Sequence, residues 1–209
     1  MSRAIVVTGT DTDIGKTVFA AALAGALGTS YWKPIQAGTD GDTDRNRVAD
    51  LSGLPPGRIL AEAYRLATPC SPHRAAEIDG IAIDPDRLTL PDCDGPLVVE
   101  GAGGALVPIS RTLLFADLFA RWAAPTILVA RTALGTINHS LLSIEALRRR
   151  GVPLLGIAFV GSANEDSEAT VAAIGGVKRL GRLPMLDPLD RETLAAAFAA
   201  SFDIADFAA

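Results

Sequence analysis

The sequence has 209 residues, enough for a single domain over residues 1–209 in which helices cover both faces of a sheet. Its formal net charge of −5 argues against nucleic acid or an anionic membrane surface as the main partner. No apolar run approaches the roughly 20 residues that a membrane-spanning helix needs, and the first residues follow a strand pattern instead of a signal-peptide pattern.

Apolar runs alternate with helical patterns along the chain, which predicts an α/β fold whose mostly parallel sheet lies between two layers of helices. The predicted strands cover residues 3–8, 30–33, 96–100, 126–131, 154–160 and 179–183. The predicted helices lie near residues 16–27, 113–122, 137–149, 165–174 and 190–200. Residues 38–95 are rich in Gly, Pro and Asp, so we expect short helices and loops there and no separate domain.

The carboxyl ends of the predicted strands mark the place where a ligand should bind. In open parallel sheets, ligands bind beyond those ends. Several loops leave the sheet at that edge and are expected to share one rim, namely 9–16, 33–44, 100–108 and 131–138.

The segment GTDTDIGKT, residues 9–17, follows a strand pattern and precedes a helical one. This is the layout of a phosphate-binding P-loop, although Thr10 stands where the usual spacing has its first glycine. Backbone N–H groups of residues 12–17 are expected to meet phosphate oxygens, with Lys16 as a cation and Thr17 as a hydroxyl ligand of Mg²⁺. The motif predicts a P-loop NTPase-like three-layer fold. The alternative is a tight turn that contains Gly-Lys-Thr by chance.

Two acidic positions are candidate partners of Thr17 at a Mg²⁺ ion, which prefers oxygen ligands. Glu100 is predicted to end a strand and precedes GAGG, so its carboxylate is expected at the rim. Asp44 lies in a polar loop before a short helix, where Asp40 and Asp42 compete with it by composition. Asp44 can also be interpreted as a helix cap or a solvated loop acid.

The segment KPIQAG, residues 33–38, begins at the end of the second predicted strand. Lys33 is expected to point toward the same rim as the P-loop. A second cation beside Lys16 would suit the transfer of a phosphoryl group. A lone lysine is otherwise usually solvated, so this motif alone is weak.

Five segments together resemble the dethiobiotin synthetase family of biotin biosynthesis: GTDTDIGKT, KPIQAG, SPH, VVEGAGG and LGTINHSLLSIEAL. They follow the family's order between residue 5 and about residue 160. The resemblance implies a cytoplasmic homodimer of P-loop α/β subunits. It also implies ATP- and Mg²⁺-dependent closure of a cyclic urea from 7,8-diaminopelargonate and CO2.

The resemblance also implies roles for residues of this chain. The catalytic residues would be Lys16 and Lys33. The Mg²⁺ ligands would be Thr17, Asp44 and Glu100. The nucleotide would contact Asp13, Ile14, Gly15, Lys16, Thr17, Asp44, Glu100, Gly101 and Gly103. The substrate would contact Thr12, Asp13, Lys33, Ala37, Ser71, Gly103 and, from the other subunit, Asn138.

The implied reaction explains why a phosphate loop contains acids. One amine takes up CO2 to give a carbamate, whose oxygen attacks the γ-phosphorus to give a carbamic–phosphoric anhydride. The second amine then closes the ring and expels phosphate. Because the diamine is cationic at neutral pH, Asp13 can hold an ammonium beside the triphosphate and help to accept a proton.

Three features depart from the family pattern. Ala37 stands where many members carry Ser or Thr, which removes a hydroxyl from the site. Val160 stands where many place an adenine-reading Asn, and Asn164 comes only later. ATP is the expected co-substrate, with CTP or another nucleoside triphosphate left open. Residues 80–95 look too short for the helix that the family often has before the glutamate strand.

Two other functions stay open at this point. A ParA-like ATPase switch would bind DNA or a protein partner, but residues 9–14 lack the second lysine that such proteins usually carry. A related amidoligase of cofactor synthesis would need a source of ammonia, and no glutaminase-like extension is present. Cys70 and Cys93 lack metal-like spacing, which fits a reduced chain in which either thiol is a buried small hydrophobe.

Overall fold

The structure is a computed structural model and describes residues 4–207. The strands are β1 Ala4–Gly9, β2 Ser30–Trp32, β3 Ile35–Ala37, β4 Tyr64–Leu66, β5 Leu97–Gly104, β6 Thr126–Arg131, β7 Leu154–Val160 and β8 Arg179–Leu183. The α-helices are α1 Lys16–Leu27, α2 Asp44–Ser52, α3 Pro72–Asp79, α4 Phe115–Trp122, α5 Thr136–Arg149, α6 Glu165–Gly175 and α7 Arg191–Ser201. Short 3-10 helices lie at Pro56–Arg58, Pro85–Arg87 and Ile204–Phe207.

Six strands form a parallel sheet in the order β2-β5-β1-β6-β7-β8. Successive side chains of a strand point to opposite faces, so Val6 joins one apolar cluster and Val7 the other. The first cluster contains residues of α3, α4, α5 and α6, and the second contains residues of α1, α2 and α7. The molecule therefore has three layers, and the predicted P-loop-like α/β/α fold is confirmed.

The predicted strands and helices occur in the structure with ends that differ by a few residues. Residue 3, the predicted start of the first strand, lies outside the described residues. Between residues 38 and 95 the structure forms α2 and α3, as expected, and also β4. The strands β3 and β4 pair in a small parallel sheet that was not predicted, because three residues each are too few for a periodic pattern.

The prediction that a strand ends at Glu100 is wrong, because this strand continues as β5 to Gly104. Gly104 pairs with Gly9 of β1, and a Cβ on Gly104 would meet the carbonyl oxygen of Thr10 at 3.3 Å. The glycines therefore let two backbones run close together at the edge of the sheet. Glu100 is consequently fully buried within a strand instead of lying at its tip.

The segment before β5 is irregular, as the sequence predicts. Among the described residues between α3 and β5, the only helical element is the 3-10 helix Pro85–Arg87. The indole Nε1 of Trp122 donates a hydrogen bond to the carbonyl oxygen of Leu88 at 2.8 Å and ties the segment to α4. Within residues 4–207, no helix is both long enough and apolar enough to cross a bilayer.

The two cysteines are less buried than expected. Cys70 is exposed in the turn before α3, so the expectation of a buried thiol is wrong for it, because this turn forms the wall of a cavity. Cys93 is half-buried, and neither thiol takes part in a disulfide.

Candidate active site

The loop between β1 and α1 has the backbone geometry of an anion-binding turn. Gly15 precedes the first turn of α1 with a φ of 90°, and a Cβ there would meet Cγ1 of Val160 at 2.8 Å. Asp13 has a φ of 54°, in the left-handed region of the backbone. This conformation is uncommon for a residue other than glycine, and residues that adopt it are often found at functional sites. The free N–H groups at the start of a helix attract anions, so this turn can receive phosphate oxygens.

Lys16 is buried beneath this loop. Its Nζ donates a hydrogen bond to the carbonyl oxygen of Asp11 at 2.6 Å. Burial lowers the pKa of Lys16 from 10.5 to about 8, an effect that Glu100 partly offsets and Lys33 reinforces. An anion at the loop would restore the preference of this amine for its charged form.

Thr17 joins the loop to two carboxylates that come from distant parts of the chain. Its Oγ1 lies 2.9 Å from Oδ1 of Asp44 and 2.8 Å from Oε1 of Glu100. A single hydroxyl proton thus faces two carboxylate oxygens and can be donated to only one of them at a time. Asp44 begins α2, whereas the capping hydroxyl of that helix belongs to Thr43, so the interpretation of Asp44 as a helix cap does not hold.

Lys33 bridges the same two carboxylates. Its Nζ lies 2.5 Å from Oδ2 of Asp44 and 3.0 Å from Oε1 of Glu100. Burial opposes the charge of Lys33, but Glu100 and Asp44 outweigh it, so the pKa of Lys33 is raised. Burial likewise opposes the charge of Asp44, but Lys33, Thr17 and Lys16 together outweigh it, so the pKa of Asp44 is lowered.

Tyr31 also belongs to the site, although sequence reasoning did not identify it. The ring is fully buried, and its hydroxyl donates to Oε2 of Glu100 at 2.8 Å. Burial, and next the charge of Glu100, raise the pKa of Tyr31 well above 10.0. Tyr31 stands two residues before Lys33, a spacing that puts both side chains on one face of an extended segment. That spacing was the available signal.

The donor set suits Mg²⁺. Thr17 offers a hydroxyl that lies within hydrogen-bond distance of the carboxylates of Asp44 and Glu100. Mg²⁺ is held in proteins by one or two carboxylates together with water and substrate phosphates. Residues 4–207 contain no group of three or more His, Cys, Asp or Glu side chains that could hold a metal ion. Two carboxylates and a hydroxyl are a donor set that fits an ion which a nucleotide also helps to hold.

A cavity of about 730 Å³ brings most of the predicted site residues together. The predicted residues that line it are Thr12, Asp13, Ile14, Gly15, Lys16, Thr17, Lys33, Ala37, Asp44, Ser71, Glu100 and Gly103. Further lining residues that were not predicted are Val18, Gln36, Arg47, Pro69, Cys70, Pro72, Ala102 and Val107. The hydroxyl of Ser71 lies 3.0 Å from Nδ1 of His73, so the SPH segment is held together by its own side chains.

Two predicted site residues lie outside this cavity. Gly101 lies within β5, where a Cβ would meet Cζ of Phe119 at 2.8 Å, so close packing favours glycine at this position. Asn138 is an exposed residue of α5 and does not line the cavity of its own chain. The loop 131–138, which was expected on the same rim, reaches the neighbouring cavity through Arg131.

A second cavity of about 300 Å³ shares Asp13, Ile14, Gly15, Val18 and Arg47 with the first. Its remaining lining is formed by Arg131, Val160, Leu183, Pro184, Met185, Leu186 and Leu189. Apolar side chains predominate in this lining, which contains no Asn or Gln. Asn164 instead caps α6, where its side chain accepts a hydrogen bond from the N–H of Ser167 at 3.2 Å.

A third cavity of about 440 Å³ lies behind the P-loop, next to α5. It is lined by Thr10, Asp11, Thr12, Gly104, Ala105, Leu106, Val107, Pro108, His139, Leu142 and Ser143. Leu106 and Leu142 are about half exposed, and Leu134 at the start of α5 is fully exposed. This surface therefore offers apolar side chains next to α5, the helix that carries the exposed Asn138.

The fold and the phosphate loop define a P-loop nucleotide-binding protein of the α/β class. A family model described as an AAA domain matches residues 3–193. Among solved structures, a ParA family ATPase from Chlorobium tepidum has a TM-score of 0.56 at 10% identity over 99% of this chain and 92% of its own. A McdA from Cyanthece has a TM-score of 0.54 at 13% identity over 95% and 91%. These likenesses concern the fold alone.

The relatives in sequence are much closer. A protein of Rhizorhabdus wittichii is 67% identical over 208 residues, which is 100% of both chains. A protein of Rhodopseudomonas palustris is 65% identical over 99% of both chains, and one of Novosphingobium aromaticivorans is 64% identical over 98% and 99%. All three are named ATP-dependent dethiobiotin synthetase BioD. The chain belongs to the dethiobiotin synthetase family.

Proposed function

We propose that this protein is an ATP-dependent dethiobiotin synthetase, a ligase of biotin biosynthesis. It joins 7,8-diaminopelargonate and CO2 into the cyclic urea of dethiobiotin, with Mg²⁺ as cofactor. The observation that carries the proposal is the convergence of Lys16, Lys33 and the Thr17, Asp44 and Glu100 cluster on one cavity in a chain of this family. Residues 1–209 act as one domain.

The phosphate end of the cavity is supplied by the P-loop. The N–H groups around Gly15 and the start of α1 receive phosphate oxygens. Lys16 leaves the carbonyl of Asp11 and donates to the outer phosphates, where its charge is stabilised by the anion. A loose phosphoryl transition state needs positioning and charge neutralisation more than covalent chemistry, and a buried cation contributes both.

Thr17, Asp44 and Glu100 would hold Mg²⁺. The ion would neutralise the charge that develops on the phosphate oxygens during transfer. The supporting observation is that two carboxylate oxygens face the single hydroxyl proton of Thr17.

The diamine end of the cavity lies beside Thr12, Asp13, Ala37, Ser71 and Gly103. Asp13 accepts hydrogen bonds from an ammonium of the substrate and helps to remove the proton that the amine loses when it attacks CO2. The carbamate oxygen then forms a bond to the γ-phosphorus, and the bond from that phosphorus to the β-phosphate oxygen breaks to release ADP. The second amine attacks the carbamate carbon, and phosphate leaves.

Lys33 stabilises the negative charge of the carbamate and of the phosphoryl group as they meet. Its ammonium is buried between Asp44 and Glu100, so it keeps its charge in a dry environment. A charge in such a place acts more strongly than in water.

A second subunit completes the site in this proposal. Asn138 would reach the substrate of its neighbour, since it is exposed on α5, one turn before the half-exposed Leu142 and shortly after the fully exposed Leu134. Exposed apolar side chains grouped around a cavity mark an interaction surface, and a symmetric homodimer is the commonest occupant. The protein would work in the cytoplasm, with no nucleic acid or membrane as partner.

The experiment follows phosphate release and dethiobiotin formation together. The complete mixture contains the enzyme, Mg²⁺, ATP, the diamine and bicarbonate, and each component is omitted in turn. Both products should appear in equal amounts, and only when all components are present. Phosphate release that does not depend on the diamine and that increases with added DNA would instead favour an ATPase switch.

A further inference from the structure

The two carboxylate oxygens of Glu100 have different partners. Oε1 faces the cavity side, with Thr17 Oγ1 at 2.8 Å and Lys33 Nζ at 3.0 Å. Oε2 accepts the hydroxyl proton of Tyr31 at 2.8 Å. Both Glu100 and Tyr31 are fully buried, so water does not compete for the second oxygen. One oxygen is thus turned toward the reaction site and the other is held by the protein.

Tyr31 is held firmly in this place. Its strand β2 pairs with β5, the strand of Glu100, with Tyr31 opposite Val98. Its carbonyl oxygen accepts a hydrogen bond from the N–H of Leu60 at 2.9 Å, and its ring belongs to the apolar cluster that contains Phe19. The backbone and the ring both fix the phenol, so its hydroxyl cannot follow the carboxylate if that group turns.

We propose that Tyr31 is a positioning residue that makes Glu100 a one-oxygen ligand and so favours Mg²⁺ over Ca²⁺ at this site. Mg²⁺ demands a near-ideal octahedron built from few protein oxygens and several waters. Ca²⁺ accepts six to eight oxygens and readily takes both oxygens of one carboxylate. With Oε2 engaged by the phenol, Glu100 can offer Oε1 alone. The inference rests on the proposed function, because that function supplies the metal site.

Tyr31→Phe keeps the ring and removes the hydroxyl. Oε2 of Glu100 is then left without its donor, and the carboxylate is free to rotate toward a cation. Loss of a partner that orients a metal ligand typically weakens metal binding about 10-fold or more. We expect the affinity for Mg²⁺ to fall about 10-fold, while the affinity for Ca²⁺ falls less or rises, so that the preference for Mg²⁺ narrows.

Tyr64→Phe is the matched control, since the chain has two tyrosines. Tyr64 is also buried, and its hydroxyl accepts a hydrogen bond from the N–H of Asp84 at 2.9 Å, away from the described cavity. Tyr64→Phe therefore shows how far the loss of a buried tyrosine hydroxyl elsewhere in the protein changes metal affinity. Urea unfolding without metal checks that both variants are folded.

The measurement is isothermal titration of Mg²⁺ and of Ca²⁺ into the full chain saturated with an ATP analogue whose β,γ bridge is an imido group. No turnover is involved. A narrowed Mg²⁺ preference in Tyr31→Phe and an unchanged one in Tyr64→Phe support the proposal. The proposal is overturned if Tyr31→Phe binds both ions as tightly as the unmodified protein does, or if the ratio of its Mg²⁺ and Ca²⁺ affinities is unchanged. It is also overturned if Tyr64→Phe shows the same change.

A second measurement does not depend on the folding of Tyr31→Phe. In protein labelled with 3-fluorotyrosine, fluorine NMR should resolve two signals, and Tyr64→Phe identifies the signal of Tyr31. Addition of Mg²⁺ with the analogue should shift the Tyr31 signal and not the other; an unmoved Tyr31 signal counts against the proposal. The proposed function fails separately, if the unmodified enzyme makes no dethiobiotin with Mg²⁺ and ATP.

Discussion

The hydroxyl of Thr17 lies 2.9 Å from Oδ1 of Asp44, although the two residues stand 27 positions apart in the chain. The contact joins the first turn of α1 to the first residue of α2. It favours Asp44 over Asp40 and Asp42 as the metal-binding acid, because neither of these lines the cavity. Thr43 caps the helix, which leaves the carboxylate of Asp44 free to face Thr17 and Lys33.

Lys16→Ala should lower kcat by about 10²–10³-fold, the usual cost of removing one group that stabilises developing charge. Folding should survive, because the ammonium is bonded only to a loop carbonyl and its burial is costly. Steady-state kinetics and circular dichroism measure the two effects. Lys178→Ala is the control, since Lys178 is an exposed lysine that pairs with Asp206 far from the cavity. An unchanged kcat in Lys16→Ala would contradict the assignment of this residue.

Nucleotide binding should be coupled to proton uptake. Because the pKa of Lys16 is lowered to about 8, and a bound triphosphate would raise it, the protein should gain a proton when ATP binds at about pH 8.5. At pH near 7 the amine is already protonated, so the uptake should shrink. Calorimetry in buffers of different ionisation enthalpy measures it, and Lys16→Met should abolish it. If proton uptake on ATP binding persists in Lys16→Met, a group other than Lys16 takes up the proton.

The lowered pKa of Lys16 also makes the free energy of unfolding depend on pH. The folded pKa of Lys16 lies below its value of 10.5 in an unfolded chain, so the unfolded state binds more protons between about pH 8 and 10.5. The cost of burying this ammonium is therefore present in full below pH 8 and lessens as the pH rises through that window.

Asp13→Asn should weaken binding of the diamine about tenfold, which corresponds to the loss of one hydrogen bond between charged groups. Asparagine tolerates the positive φ of this position, so the loop should keep its shape. Asp11→Asn is the control, because the carboxylate of Asp11 accepts the N–H of Thr12 and does not line the main cavity. Titration of the diamine into both variants gives the Kd values. Equal values for Asp13→Asn and the unmodified protein would refute the role of Asp13.

Discrimination between nucleotides should be modest. The cavity next to the P-loop is lined mainly by apolar side chains, including Val160, and an apolar pocket rejects a competitor by no more than about 200-fold. The ratio of kcat/KM for ATP to that for CTP should stay below this value. A ratio above about 10⁴ would instead indicate that a hydrogen-bonding side chain of this lining, such as Arg47 or Arg131, reads the base.

Two defective variants should restore activity to each other if Asn138 acts across subunits. Asn138→Ala and Lys16→Ala are mixed under conditions that exchange subunits, with the diamine at low concentration. Half of the dimers would be mixed, and one of the two sites in each would be intact, so about a quarter of the normal activity should return. No recovery, in a mixture whose exchange is verified by mass spectrometry, would contradict the shared site.

Much of the fold could be predicted because its strands are continuous apolar runs and its helices have a clear period. The short strands Ile35–Ala37 and Tyr64–Leu66 could not, since their pairing depends on contacts between distant residues. The GAGG segment resembles a loop in composition, yet it extends β5 because glycine permits close approach to β1.

The site could be predicted where a motif sets the chemistry. Lys16, Thr17 and Lys33 reach one cavity as expected, and so do Asp44 and Glu100. Tyr31 was not identified, because a tyrosine in an apolar strand is usually a packing residue and its hydroxyl contact with Glu100 joins two neighbouring strands. Gly101 is predicted to contact the nucleotide, but it does not line the cavity, and a Cβ there would meet Cζ of Phe119.

The small sheet formed by β3 and β4 couples two walls of the cavity mechanically. Ala37 lies on β3, and the backbone of Gly38 donates to Leu66 of β4 at 3.0 Å, shortly before the turn that carries Ser71. Because these hydrogen bonds fasten the two segments side by side, a displacement of one segment is expected to move the other. We therefore expect a substitution at Ala37 to alter the position of Ser71 as well, and with it the shape of the cavity that both residues line.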